Sequence, residues 1–93
     1  MMTPEAAETY ALSVLTWLVG QDDLIGIFMG SSGASIDDIR ENAQSPEFLG
    51  AVLDFVLMDD AWVVRYASEL SQKPEHMMQA RMVLPGGQAV HWT

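Results

Sequence analysis

Three acidic pairs, two histidines and one glycine-serine loop are the residues of this chain whose types and spacing could do chemistry. The pairs are Asp22-Asp23, Asp37-Asp38 and Asp59-Asp60. Adjacent carboxylates can hold a divalent metal or share acid and base roles. Each pair, however, falls where a helix is expected to begin, and a carboxylate there accepts from free N–H groups and meets the positive end of the helix dipole. A calcium loop needs oxygen ligands at alternating positions around a turn glycine, and a di-iron bundle needs Glu-x-x-His pairs. Neither pattern is present. The pairs are therefore expected to start helices, with no metal.

His76 and His91 have no His-x-x-x-His or His-Glu-x-x-His partner, so neither is expected to ligate zinc. His76 falls in the first turn of a helix and is read as a surface residue. No nucleophile is paired with either histidine. There is no cysteine, which removes thiolate metal sites, disulfides and cysteine nucleophiles together. Gly30-Ser31-Ser32-Gly33 resembles a phosphate cradle but lacks the following lysine. It is expected to stop a helix. No catalytic residue and no cofactor site are expected.

Two groups remain. Met77, Met78 and Met82 share one short helix with Arg81, and methionine serves both irregular cores and adaptable binding surfaces. Val90, His91 and Trp92 follow Gly86-Gly87 at the chain end, where an aromatic needs something to cover it. Met77, Met78, Arg81, Met82, His91 and Trp92 are the residues expected to bind a partner. Trp17 and Trp62 lie inside apolar patterns and are expected in the core. Asp54 is expected on a solvated stripe; if buried, Arg65 or Arg40 would be its counter-charge.

Helices must position these groups. Thr3-Pro4-Glu5 and Ser45-Pro46-Glu47 each combine a cap, a first-turn proline and an acid, which marks a helix start. Ser35-Ile36-Asp37-Asp38 resembles a capping box. From Pro4 onward Ala7, Ala11, Val14, Leu15 and Leu18 share one face, and Glu5, Thr9, Ser13 and Thr16 the other. Gly20 should end this helix. Pro46–Leu57 is apolar nearly all round except for Glu47, Gly50 and Asp54, as expected of a central helix. Further helices follow Asp59-Asp60 and Lys73-Pro74-Glu75. No alternating strand pattern occurs. Slid 37 places against itself, the chain sets Leu12, Val19, Asp22, Asp23 and Ser31 on Leu49, Val56, Asp59, Asp60 and Ser68, which suggests an internal repeat of two three-helix halves. The expected architecture is an all-α, compact bundle of five or six short helices, with residues 1–84 as one domain and 85–93 as a C-terminal tail.

Composition narrows the function classes. The 93 residues carry 13 acids against 4 bases, a net charge of −9. A surface of that sign repels nucleic acid and anionic membranes. Apolar residues make up 49%, enough for a core in a chain that buries roughly 60–65% of its unfolded surface. The apolar stretches Ala11–Val19 and Ala51–Leu57 are too short to span a bilayer, and the first ten residues have no basic start of a secretory signal. The chain is expected to be cytoplasmic.

Leu24-Ile25-Gly26-Ile27-Phe28, the run Ser45-Pro46-Glu47-Phe48-Leu49-Gly50-Ala51-Val52-Leu53-Asp54-Phe55, and the ending Leu84-Pro85-Gly86-Gly87 with His91-Trp92-Thr93 carry a resemblance. From about Ala11 to its end the chain resembles domain-of-unknown-function family 3572, small bacterial proteins found mainly among alphaproteobacteria. The family has Asp-Pro-Glu at helix starts, where this chain has Gln21-Asp22-Asp23 and Lys73-Pro74-Glu75. The resemblance implies no activity and no site residues. Two functions stay open: a non-enzymatic protein–protein interaction module, with self-association compatible; or a small-ligand binder or enzyme with an apolar pocket between the halves, lined by Trp17, Trp62 and Tyr66 with Asp54 or His76 as its polar point.

Overall fold

Side-chain caps set four of the helix starts. Thr3 Oγ1 accepts from the Ala6 amide at 3.1 Å, Ser45 Oγ from Phe48 at 3.3 Å and Asp59 Oδ1 from Ala61 at 2.9 Å. Ser35 and Asp38 close a reciprocal capping box at 3.1 and 2.9 Å. Each satisfies a donor that the helix itself cannot, for about 1 kcal/mol.

The computed structural model describes residues 2–85. Its regular elements are α1 (Pro4–Val19), α2 (Asp22–Ser32), α3 (Ile36–Asn42), α4 (Pro46–Leu57), α5 (Asp60–Glu69) and α6 (Glu75–Val83). Among the described residues there is no strand, and the chain is an all-α bundle of six helices.

Two local expectations need correction. Asp22 and Asp23 do not cap α2: its N-cap is Gln21, without a side-chain bond, and Asp23 instead receives the Arg65 guanidinium at 3.1 Å. Gly30-Ser31-Ser32-Gly33 is not a loop. The helix runs on through Ser32, because both serine hydroxyls turn back and donate to the Phe28 carbonyl at 3.3 and 2.7 Å. Serine tolerates a helix when its hydroxyl bonds that way. Only Gly33, at φ 76°, stops it, since that left-handed conformation suits glycine.

α1, α4 and α6 form the centre, each packed on the other two, while α5 leans on α4 and α2 on α1. Ala7 and Ala11 of α1 and Ala80 of α6 are fully buried, and small side chains let helix axes approach closely. Leu49, Val52, Leu53 and Val56 of α4 meet Val14 and Leu18 of α1 in the core. Phe28 stands edge-on to Phe55 at 5.2 Å, tying α2 to α4. Trp62 stacks on Phe55 at 4.9 Å, tying α5 to α4. α3 is peripheral, and Ile39 is its one buried residue. The two expected halves thus differ in packing role, since α6 is central where α3 is peripheral.

Candidate functional site

α1 has sixteen residues and two faces. Ala7, Ala11, Val14, Leu15 and Leu18 are buried in the core. The outer face carries Glu5, Glu8, Thr9, Leu12, Ser13 and Thr16, spaced three or four apart as a helix face requires. Among these polar groups Leu12 is 40% exposed. It is the residue missed from the sequence, and its signal was legible: one leucine at helical spacing inside a polar stripe.

Three hollows open along this face and meet at Thr9. One, of about 300 Å³, lies between Glu5, Glu8 and Leu12 of α1 and Ala43, Gln44 and Leu49. The second, of about 500 Å³, is bordered by Leu12, Ser13, Thr16 and Trp17 with Leu70. The third, of about 570 Å³, includes Glu5, Tyr10, Ser13, Tyr66, Gln72 and His76.

Tyr66 anchors the third hollow. It is almost fully buried and sits edge-on to Tyr10 at 5.6 Å and to Trp17 at 5.5 Å. Its hydroxyl and Ser13 Oγ share a hydrogen bond of 3.0 Å. A phenol does not take a proton from serine at neutral pH, so this pairing does not activate Ser13. Trp17 Nε1 donates to Glu69 Oε1 at 2.8 Å. His76 is edge-on to Tyr10 at 6.4 Å, and its Nδ1 is 3.4 Å from Gln72 Oε1. The Tyr10 hydroxyl is buried and has no hydrogen-bond partner among the described residues. Burial first, and then neighbouring Tyr66, raise its pKa above the usual tyrosine value, because both oppose the charged form.

The residues expected to line an apolar pocket between the halves do not share one of these hollows. Tyr66 and His76 border the third hollow and Trp17 the second, but Trp62 stacks on Phe55 and Asp54 faces α6. Asp54 binds neither Arg65 nor Arg40, which pair with Asp23 and Asp37. Its partner is Arg81, with Nε to Oδ1 at 2.5 Å and Nη2 to Oδ2 at 2.9 Å. Arg81 Nη1 also donates to the Leu84 and Pro85 carbonyls at 3.4 and 3.1 Å. Gly50 is one turn before Asp54 and makes room: a Cβ there would stand 3.1 Å from Arg81 Nη1.

The residues expected to bind a partner divide accordingly. Met77 is fully buried and Arg81 is 7% exposed, so both belong to the interior. The cause is the register of α6, which turns Met77, Ala80 and Arg81 inward. Met78 and Met82 are exposed at 51% and 68%, and Met82 borders a hollow of about 460 Å³ with Met2, Gln79 and Val83. His91 and Trp92 lie outside the described residues.

Among the described residues no three His, Asp or Glu side chains converge as metal ligands, and no single helix is long and apolar enough to cross a membrane. A family model described as "Protein of unknown function (DUF3572)" matches residues 4–87. No curated protein and no solved structure matches the chain.

Proposed function

Because the chain belongs to the DUF3572 family, which brings kinship but no activity, we propose from its surface that it is a non-enzymatic protein–protein interaction module of the cytoplasm. The observation that carries this is the outer side of α1, where hollows join around the half-exposed Leu12 and reach Leu70, also 40% exposed. Apolar side chains set in a groove and rimmed by polar ones are the usual form of a docking surface. Met78 and Met82 are further exposed apolar residues, on α6.

The test is recovery of partners from native cells by the tagged full chain, by Leu12→Asp and by Met82→Asp, each checked for helical content. A partner recovered near one-to-one with the full chain and lost with one variant supports the module. The same proteins recovered by all three, or only the chain itself, would end this reading.

One observation favours a second reading, a small-ligand binder. Among the described residues the buried Tyr10 hydroxyl lacks a partner, beside a hollow lined by Ser13, Tyr66 and His76, and buried hydroxyls are seldom left unpaired. A metabolite screen by thermal shift tests it: a hit that raises the melting point of the full chain but not of Tyr10→Phe supports it, and hits indifferent to Tyr10 count against it.

A further inference from the structure

We propose that the groove along the outer side of α1 holds a basic, apolar-faced helix of a partner protein. This rests on the interaction-module reading and names the chemistry of what is bound.

Shape selects a helix. From Glu5 to Thr16 the groove follows three turns of α1, about 16 Å at 1.5 Å per residue. Leu12 borders both the hollow on the Leu49 side and the hollow on the Leu70 side. It is a ridge between them, and an occupant fills both by straddling it with two apolar side chains. A helix offers such pairs at i and i+3, i+4 or i+7. Strand addition needs a free sheet edge, and the described residues form only helices.

Charge selects a basic occupant. Glu5 and Glu8 stand at the groove, on a chain of net charge −9. Three of the four bases, Arg40, Arg65 and Arg81, are already paired with Asp37, Asp23 and Asp54. The fourth, Lys73, follows Gln72, which borders the third hollow together with Glu5 and His76. Among the described residues neither Glu5 nor Glu8 is held in an ion pair, so their charge is available to steer a cationic helix and fix its register. A second copy of this chain brings the same −9 and meets like charge.

Fluorescence anisotropy of labelled peptides tests the assignment on the full chain. The probes are a Lys/Leu helix of about four turns with leucines at i, i+3, i+4 and i+7, a scrambled peptide of the same composition, and a Glu/Leu helix. The protein variants are Glu5→Lys/Glu8→Lys, the milder Glu5→Gln/Glu8→Gln, Leu12→Asp, and a charge-matched control pair that borders none of the three hollows, Asp22→Lys/Asp60→Lys. The Lys/Leu helix should bind at least about tenfold tighter than either other peptide. The Glu5/Glu8 reversal and Leu12→Asp should each weaken it about tenfold, the glutamine pair less, and the control pair less than about twofold. Added salt should weaken it further. Equal binding of the scrambled peptide, equal loss with the control pair, or no binding would overturn the proposal. If the peptide fails while a native partner still depends on Leu12, the basic-helix chemistry falls and the module stands. If the peptide behaves as expected but no native partner depends on Leu12, the groove chemistry stands and the module falls.

Discussion

Replacing Asp54 with alanine leaves the guanidinium of Arg81 buried without its carboxylate. Two charge-assisted hydrogen bonds disappear, at 2.5 and 2.9 Å, and such bonds contribute about 1.5–3 kcal/mol each when well made. Breaking a fully buried pair costs about 3–5 kcal/mol. This pair is buried on one side only, with side-chain exposures of 8% for Arg81 and 50% for Asp54, so water replaces part of what is lost. The bonds from Arg81 to the Leu84 and Pro85 carbonyls remain. The expected destabilisation is therefore about 2–3 kcal/mol, which in a domain of this size lowers Tm by roughly 8–24 °C. Urea titration and thermal melting followed by far-UV circular dichroism measure it. The decisive comparison is Asp54→Ala in an Arg81→Met background. With the charge gone, the same change should cost under about 0.5 kcal/mol, giving a coupling near 2 kcal/mol. Equal losses in both backgrounds, or a loss below about 0.5 kcal/mol in the native one, would show that Arg81 does not depend on Asp54. The Asp23–Arg65 pair offers a contrast. Its side chains are 62% and 35% exposed, and Asp23→Ala should change stability by less than about 1 kcal/mol.

Further expectations concern glycines and Tyr10. Gly30 lies inside α2 with nothing within 4 Å of an added Cβ, so Gly30→Ala should stabilise by about 0.5–1 kcal/mol in urea titration. Gly50→Ala should destabilise by about 1 kcal/mol in the same assay, because its Cβ would stand 3.0 Å from the Pro85 carbonyl and press on Arg81, outweighing the gain in helix propensity. Tyr10→Phe should be neutral or stabilising at neutral pH, since it removes a buried hydroxyl that has no partner among the described residues; a loss above about 1 kcal/mol would mean that the hydroxyl is satisfied. In alkali the raised Tyr10 pKa means that the unfolded chain gives up the proton first. Stability is then intact below about pH 10 and falls above it, toward the raised folded value. Urea midpoints across that range should fall less steeply for Tyr10→Phe.

The sequence by itself determined the helices. Caps, first-turn prolines and apolar spacing are local, and they placed Pro46–Leu57 to the residue and made Ser35 and Asp38 a capping box. Composition removed thiol chemistry and set the sign of the surface. Where local evidence misled, a competing local bond was the reason: Ser31 and Ser32 bonded back to Phe28 and carried α2 through an apparent loop. Tertiary structure decided everything that depends on which helix faces which. Arg81 looked like a surface base on a methionine helix, but packing of α6 on α4 set it over Gly50 and against Asp54, 27 residues away in the chain. Leu12 became a ridge only when the segment around Ala43 and Leu49, and Leu70, came up on either side of α1. Side-chain spacing fixes the faces of a helix, but the burial of a face depends on partners distant in the chain, and no single helix encodes them.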